Sequence, residues 1–399
     1  MSTANRAHPL LHGMGLKAAT LVLMGFGLGC SAASRDGTPD RRVETLPWSA
    51  PDQWGPLEVG ALTMRWVDAR GKEMVAEVWF PAAPDAGDVP QPYPPLGLAA
   101  EAFRAVGPDS RYGPYPLVAF SHGYGGVRFQ SLYLTEYLAS HGHVVVSPQH
   151  RYNTFLDLND DRLLDVIIER PGDVMEAVDE VLRRAEVTDD RLYGMVDGEQ
   201  YAVMGHSFGG LTSMMVGGGR IDPDGLHARC DAGLGRLCDT MRQIDEERLA
   251  GHRMSDPRAI ATVPMAPGLW YAFGNDGMTA PGLQGVRAPL VVGGDADPVL
   301  DYNAEILPSY NHMASPKTLV NFHGAGHYAF SNMCDLAPFF TDECTGDDAQ
   351  WAEVDRVQRL SRTVTLAHIR TVMGDSPEDG DYTASVWLAD EANVSVLHD

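Results

Sequence analysis

One short segment constrains the fold of this chain more than any other. An apolar run at Tyr201–Met204 leads directly into Gly205-His206-Ser207-Phe208-Gly209-Gly210, and a helical pattern follows at Phe208–Val216. Glycines on both sides of a serine permit a sharp, strained turn that exposes the serine hydroxyl at the helix N-terminus. A glycine-rich turn with a solvated serine is the alternative. The strand before the turn and the helix after it favour Ser207 as a nucleophile.

The rest of the chain supplies the framework for such a turn. From Leu117 onward, short apolar runs alternate with helical patterns, which is typical of βαβ units around a parallel sheet. Predicted strands are Leu117–Phe120, Val144–Ser147, Tyr201–Met204, Ile260–Val263, Leu290–Val292 and Thr318–Phe322. Predicted helices are Phe129–Ser140, Asp173–Arg184, Phe208–Val216 and Asp348–Met373. The predicted fold class is therefore α/β, with a mostly parallel central sheet flanked by helices.

The domain organisation follows from the same patterns. Residues 57–399 are predicted to form one catalytic domain, since folds of this class often exceed 250 residues. Alternating residues at Leu57–Val67 and Glu73–Phe80 predict an antiparallel hairpin, and the proline-rich stretch 81–116 predicts a surface loop. The charged segment 217–257 interrupts the strand and helix pattern. It is predicted to be a small cap or lid insertion.

A serine hydroxyl is a poor nucleophile at neutral pH, so it needs a base and a group that orients the base. After the strand at Leu290–Val292 come Asp295 and Asp297, at the sheet edge where such sites form. Asp297 is preferred as the acid because it is the last aspartate of the turn, with Asp295 as a turn-capping residue. After the next strand, His327 lies in a small-residue loop that can fold back over the serine. His323 lies too near the strand end and is predicted to be structural.

When a serine attacks a carbonyl carbon, the tetrahedral intermediate carries a negatively charged oxygen. In this arrangement two backbone N–H groups stabilise that oxyanion. Phe208, directly after the nucleophile, is predicted to supply one. Tyr124 is predicted to supply the other from Ser121-His122-Gly123-Tyr124-Gly125-Gly126, which follows an earlier strand. His122 and His206 flank these turns and are predicted to brace the loops.

The first thirty residues indicate export. Arg6 and Lys17 precede an apolar run at Ala18–Leu28, and Phe26-Gly27-Leu28-Gly29-Cys30 resembles a bacterial lipobox. We therefore predict a signal peptide at 1–30 with lipidation of Cys30, and a flexible tether at 31–56. Cleavage without lipidation and a retained anchor are the alternatives. Either way the protein is predicted to be extracytoplasmic, lipid-anchored to a bacterial membrane or secreted.

In an oxidising compartment, the four cysteines after Cys30 are expected to form disulfides, because thiols tend to pair there. Their close spacing suggests the disulfides Cys230–Cys238 and Cys334–Cys344, although four cysteines allow three connectivities. Structural zinc is the competing interpretation, but no CxxC spacing or histidine cluster accompanies them. The net charge of −24 repels phosphate backbones, which argues against a nucleic-acid partner.

The motifs carry a family resemblance over roughly Val78 to Phe330. The glycine loop at 121–126, the stretch 137–146, Arg170-Pro171-Gly172-Asp173 and the serine turn together resemble the platelet-activating-factor acetylhydrolase and dienelactone hydrolase-like branch of the α/β-hydrolases. That resemblance implies the α/β-hydrolase fold. Two features of the sequence depart from the pattern of these two enzyme groups. The acetylhydrolase acid position holds Val263-Pro264-Met265-Ala266-Pro267, so the acid comes from the next strand, as in cutinase-like lipases. Ser207 stands where dienelactone hydrolases have cysteine.

The predicted activity is hydrolysis of a small-molecule carboxylic ester by Ser207, His327 and Asp297, through an acyl-enzyme and with no cofactor or metal. Met265, Trp270, Tyr271 and Phe330 suggest a pocket for short acyl chains, with core packing as the alternative. A non-catalytic surface binding protein, and acyl transfer or peptide cleavage by the same residues, are the competing hypotheses. The residues leave the oligomeric state open.

Overall fold

The apolar runs form one mixed sheet in this computed structural model, which describes residues 44–47, 49–233, 237–274, 279–345, 351–374, 388 and 391–399. The strands are β1 (Glu58–Val67), β2 (Glu73–Ala83), β3 (Gly107–Pro108), β4 (Tyr115–Ser121), β5 (Val144–Pro148), β6 (Val196–His206), β7 (Ala259–Met265), β8 (Leu290–Gly294), β9 (Thr318–Phe322) and β10 (Val394–His398). Their order is β1-β2-β5-β4-β6-β7-β8-β9-β10, and β3 pairs with β2 off this path. The strands from β5 to β9 in this order run parallel, whereas β1, β2, β3 and β10 join antiparallel.

Helices cover both faces of this sheet. The helices are α1 (Leu132–Ser140), α2 (Leu163–Ala185), α3 (Phe208–Val216), α4 (Pro223–Asp231), α5 (Cys238–Met241), α6 (Glu246–Leu249), α7 (Leu307–Asn311), α8 (Met333–Leu336), α9 (Asp342–Thr345) and α10 (Val354–Met373). Helix α1 packs against α10, and α2 packs against α3. Successive residues of β4 alternate between two buried apolar clusters, Val118 and Phe120 in one and Leu117 and Ala119 in the other. Both faces of the central strands are therefore buried, as expected for a parallel sheet.

Several boundaries differ from the sequence predictions. Helix α2 begins at Leu163 and continues through Pro171, instead of beginning at Asp173. Apolar residues on both sides of the proline are buried, so packing on the sheet outweighs the hydrogen bond that proline removes. Helix α1 begins at Leu132 rather than Phe129, and α10 begins at Val354 rather than Asp348.

Two strands were missed. Residues Gly107–Pro108 form β3 inside the predicted surface loop, because they pair with the last residues of β2, which extends to Ala83. Strand β10 closes the sheet next to β9 and follows a segment with no periodic pattern of its own. Its pairing partner, rather than its sequence pattern, determines its conformation.

The predicted cap segment 217–257 contains α4, α5 and α6 and lies in the chain between α3 and β7. The predicted signal peptide, Cys30 and the tether up to residue 43 lie outside the described residues. The last part of the predicted tether is not a free linker: Leu46 packs against the core, the Gly55 N–H donates to Ser140 Oγ at 3.0 Å, and Arg370 donates to the Ser49 carbonyl oxygen at 3.1 Å. Within the described ranges, none of the helices combines the length and apolar character needed to cross a membrane.

Candidate active site

Ser207 lies at the turn between β6 and α3. Its backbone has φ 58° and ψ −118°, a conformation that costs a non-glycine residue of order 1–3 kcal/mol. A Cβ at Gly209 would lie 1.8 Å from the carbonyl oxygen of Ser121, and a Cβ at Gly205 would lie 2.3 Å from that of Gly209. The Ser207 N–H donates to the Met265 carbonyl at 2.8 Å. The two glycines are therefore required by close backbone approach, and the turn is tied to β7.

Asp297 and His327 form a buried pair on the loops that follow β8 and β9. Nδ1 of His327 lies 2.6 Å from Oδ2 of Asp297, and the two side chains are 3% and 0% exposed. The other carboxylate oxygen, Oδ1, accepts the backbone N–H groups of Val299 at 2.8 Å and Leu300 at 2.7 Å. An ionised carboxylate only accepts hydrogen bonds, so Nδ1 of His327 carries the proton and Nε2 is left as the basic nitrogen.

A second acid–histidine pair lies nearby at the surface. His323 Nδ1 lies 2.5 Å from Asp295 Oδ2, but these side chains are 45% and 34% exposed. Asp295 also accepts the Gly324 N–H at 2.8 Å. Burial raises the pKa of Asp295, but the Gly324 N–H and the His323 side chain outweigh it and hold that pKa below its usual value. The structure therefore separates the two candidate aspartates, with Asp297 on the buried histidine and Asp295 on the exposed one.

A chain of buried hydrogen bonds links the His327 loop to the glycine loop after β4. The Gly123 N–H donates to Oε1 of Gln130 at 2.9 Å, which leaves the Gln130 amide nitrogen facing Nδ1 of His206 at 2.9 Å. Burial, reinforced by the nearby His327, holds the pKa of His206 well below its usual range, so its ring is neutral. Its Nδ1 therefore accepts from Gln130, and its Nε2–H donates to the His327 carbonyl oxygen at 2.9 Å.

Sequence reasoning missed Gln130. It lies in no recognisable motif, and the only signal was its position a few residues after the glycine loop. His206 was predicted to brace a loop, and its two hydrogen bonds agree with that prediction.

The same link places His327 beside the serine turn. The ring centroids of His206 and His327 are 4.7 Å apart, and His206 directly precedes Ser207. Within the part of the chain that the structure describes, the Ser207 hydroxyl makes no hydrogen bond to the histidine. Catalytic hydrogen bonds commonly tighten only once substrate is bound. The structure thus brings Ser207, Asp297 and His327 to one site, with no hydrogen bond between Ser207 and His327.

The two predicted oxyanion residues lie beside Ser207. The rings of Tyr124 and Phe208 are 6.3 Å apart, and both residues line the same cavity as Ser207. Among the described residues, neither backbone N–H donates to another backbone group. The Gly123 N–H, in contrast, is taken up by Gln130. The Tyr124 hydroxyl donates to Oδ1 of Asp160, which fixes the ring at the cavity wall.

The cavity in front of Ser207 has a volume of about 590 Å³, within the range of ligand pockets. Its aliphatic lining residues are Leu163, Leu211, Leu237, Leu269, Val299 and Leu300. The segment 217–257 contributes residues 237–240, so the predicted cap forms part of the wall.

The residues suggested for an acyl pocket do not line this cavity. Met265, Trp270, Tyr271 and Phe330 are all buried in the core. All four belong to the larger buried apolar cluster. The sequence alternative of core packing is the one observed.

Two disulfides border the site. Cys230 is bonded to Cys238, which lines the cavity, and Cys334 is bonded to Cys344. Next to Cys344, the buried Glu343 accepts the Tyr328 N–H, one residue after His327. The second disulfide therefore fixes the helix that holds the His327 loop. Within the described ranges, no group of three or more histidine, cysteine or carboxylate side chains is placed to hold a metal ion.

Comparison with known proteins gives a consistent set of similarities. A family model described as Chlorophyllase matches residues 98–226, a range that includes the glycine loop and the serine turn but ends before Asp297. Cutinase 1 of Thermobifida cellulosilytica is 27% identical over 218 residues, which cover 54% of this chain and 61% of that protein. A cutinase of Thermobifida fusca (strain YX) is 27% identical over 218 residues, which cover 54% of this chain and 53% of that protein. The chain thus spans between about half and three fifths of the length of these curated relatives.

The structure of a ferulic acid esterase from Streptomyces cinnamoneus superposes with a TM-score of 0.57 at 18% identity. The superposition covers 89% of this chain and 99% of that chain. Together with the mostly parallel sheet and its flanking helices, this similarity shows that the chain has the α/β-hydrolase fold. The predicted fold class is confirmed.

Proposed function

We propose that this chain is a serine hydrolase that cleaves carboxylic esters, with Ser207 as nucleophile, His327 as general base and Asp297 as the residue that orients the base. One observation carries the proposal. Asp297 holds Nδ1 of the buried His327, so Nε2 is the basic nitrogen, and the His327 ring lies 4.7 Å from that of His206, the residue directly before Ser207. Ser207 itself lies in a strained turn and lines an apolar cavity. The cutinases and the ferulic acid esterase are named for action on esters, which supports the same reaction class.

The reaction divides into two halves. In the first, Nε2 of His327 takes the proton as the Ser207 oxygen attacks the ester carbonyl, and the Asp297 carboxylate stabilises the resulting imidazolium. The N–H groups of Phe208 and Tyr124 receive the oxyanion. His327 then gives its proton to the leaving alkoxide, so an alcohol departs and an acyl-enzyme remains. In the second half, water attacks the acyl-enzyme, His327 takes its proton, and the acid is released as Ser207 is reprotonated.

The cavity supports a small-molecule ester as substrate. Its 590 Å³ volume and its leucine and valine walls fit a short acyl chain together with a compact alcohol group. The wall contributed by residues 237–240 supports a role for segment 217–257 as a cap over the acyl group. The kinship of the site with the platelet-activating-factor acetylhydrolase and dienelactone hydrolase-like branch is part of the same proposal.

The activity is tested with a fluorophosphonate probe and p-nitrophenyl esters of increasing acyl length. The parent protein should be labelled at Ser207 and should prefer short chains. Ser207→Ala should abolish labelling and lower kcat by roughly a millionfold. Ser213→Ala is a matched control on the same helix, since that hydroxyl only donates to the Gly210 carbonyl, and it should retain both properties. A parent protein with neither labelling nor turnover would favour the non-catalytic binding hypothesis.

The cellular location is proposed from the N-terminal sequence. We propose that Cys30 is lipidated and that the residues directly after it tether the domain to a bacterial membrane. In a bacterial host, the protein should partition with membranes, and Cys30→Ser should release it into the soluble fraction or block processing. Unchanged partitioning of Cys30→Ser would contradict the lipid anchor.

A further inference from the structure

Arg170 is a fully buried guanidinium that the proposed mechanism does not use. It lies on α2 with 1% of its surface exposed. Nε donates to Thr212 Oγ1 at 3.1 Å, one terminal nitrogen donates to Asn153 Oδ1 at 2.6 Å, and the other donates to Ser121 Oγ at 3.0 Å and to the His122 carbonyl oxygen. All four acceptors are neutral.

The nearest acid on the same helix is engaged elsewhere. Asp173 binds Lys72 at 2.7 Å and His150 at 3.2 Å, and no carboxylate of the described residues forms an ion pair with Arg170. Burying a charge on neutral partners costs several kcal/mol relative to water. Burial lowers the pKa of Arg170 to about 9, which still leaves the group mostly cationic at neutral pH. The desolvation cost of the Arg170 guanidinium indicates that this side chain has a role beyond packing.

The contacts of Arg170 converge on the two segments that carry the oxyanion donors. Its bonds to Ser121 and His122 hold the start of the glycine loop, immediately before Gly123 and Tyr124. On the other side, the guanidinium lies over the Phe208 ring, 4.6 Å from the ring centroid.

The connection to Phe208 is reinforced through the helix. Thr212, which accepts from Nε of Arg170, itself donates to the Phe208 carbonyl oxygen at 3.0 Å. A single rigid, planar group with several donors in fixed directions therefore joins both segments.

We propose that Arg170 is a positioning residue of the oxyanion hole, which sets the separation of the Tyr124 and Phe208 N–H groups and places a buried positive charge beside them. This inference rests on the proposed ester hydrolysis. It gives a role to Arg170 of the Arg170-Pro171-Gly172-Asp173 motif.

The test compares Arg170→Met and Arg170→Lys with the parent enzyme. For Arg170→Met, kcat and kcat/KM for p-nitrophenyl butyrate should fall together by roughly 100-fold, the usual effect of losing one oxyanion donor. KM should change less than about threefold, because an interaction made only in the transition state leaves ground-state binding unaltered. Arg170→Lys keeps the charge but loses the planar donor set, and should show a smaller loss of roughly tenfold.

A second readout separates positioning from general support of the fold. A trifluoromethyl ketone forms a tetrahedral oxyanion adduct with the serine, so its inhibition constant should rise by the same factor as kcat/KM falls. Arg287→Met is the matched control. That arginine also donates to backbone carbonyls, those of Ala259 and Val216 among them, and within the described ranges it makes no hydrogen bond to a residue of the site. It should lower the unfolding midpoint without changing kcat per folded molecule.

If Arg170→Met does not fold, Thr212→Val provides the test, since it removes one arginine partner and the bond to Phe208 with little change of shape. It should lower kcat several-fold at unchanged KM. The inference is overturned if a folded Arg170→Met keeps kcat within twofold, or if Thr212→Val does so where Arg170→Met fails to fold. An inhibition constant for the ketone that does not follow kcat/KM overturns it as well. A parent protein without turnover or labelling would instead refute the ester hydrolase proposal itself.

Discussion

Replacing Asp297 by asparagine tests the assignment of acid and base through the position of one proton. The backbone N–H groups of Val299 and Leu300 both point at Oδ1, at 2.8 and 2.7 Å. In the asparagine variant the amide oxygen must take that place, so the amide NH2 faces Nδ1 of His327. Nδ1 then has to accept instead of donate, and the imidazole proton moves to Nε2. That nitrogen is the one that must take the proton of Ser207, so the base is disabled while its position is retained.

The size of the effect follows from this change of tautomer. In a serine hydrolase of this design, the wrong tautomer lowers kcat roughly 10,000-fold, or about 5.4 kcal/mol of activation free energy at about 1.36 kcal/mol for each factor of ten. KM should stay within about threefold, because the Asp297 side chain is fully buried behind the histidine and does not line the cavity. Steady-state hydrolysis of p-nitrophenyl butyrate between pH 6 and 9 measures both quantities.

Asp295→Asn is the matched control for this experiment. It makes the same chemical change two residues away, at the exposed pair with His323, and should keep kcat within about threefold. If Asp297→Asn retains more than a tenth of the parent kcat, or if Asp295→Asn is the more damaging change, the assignment of the acid is wrong. Circular dichroism of both variants would establish that the comparison is between folded proteins.

Three further predictions address the surroundings of the site. Gln130→Met should lower kcat roughly tenfold and reduce thermal stability. The reason is that the Gly123 N–H and Nδ1 of His206 each lose a buried hydrogen-bond partner, at a cost of about 1–3 kcal/mol each. An unaltered kcat would show that the Gln130 hydrogen bonds do not position the site. Replacing Cys334 and Cys344 by serine should reduce the free energy of unfolding by about 2–4 kcal/mol in urea titrations, and should also lower kcat through the loosened His327 loop. Loss of stability with full kcat per folded molecule would contradict the second part. Stability should also fall as the pH drops below about 6.5, since burial, with Arg370 adding to it, lowers the pKa of His141 and of His143 to about 3, so these two side chains bind protons in the unfolded chain before they do so in the folded one. The urea midpoint at pH 5 should lie well below that at pH 7.5, and a flat profile would refute this reading of the two histidines.

The parts of the fold that sequence could predict are those with a local pattern. The strand, serine and helix around Ser207 are adjacent in the chain, so glycine spacing and apolar periodicity suffice to place them. The strand at Thr318–Phe322 has the predicted bounds for the same reason. The choice of Asp297 over Asp295 used only the position in a turn, and the structure pairs the chosen residue with the buried histidine.

The parts that sequence could not predict depend on distant partners. Gln130 and Arg170 act on loops that are far away along the chain, and no periodicity marks the residues that they contact. Strand β10 needs β9 beside it, and α2 runs through Pro171 because of packing on both sides. The walls of the cavity in front of Ser207 also depend on residues that are distant in the chain. Residues near the motifs were expected to line it, whereas Leu237 and Leu163, from other segments, do so.

The loops of the site are bound to one another as well as to the sheet beneath them. Gln130 and His206 join the glycine loop to the His327 loop, and Arg170 joins the glycine loop to the serine turn. Buried polar networks of this kind stabilise one arrangement only when every member is satisfied. Substitution at Gln130 or Arg170 should therefore change kcat and stability together, whereas Asp297→Asn should change kcat with little change in stability. If the two groups of variants behaved alike, the loops would be held by the sheet, and the network would have no role in catalysis.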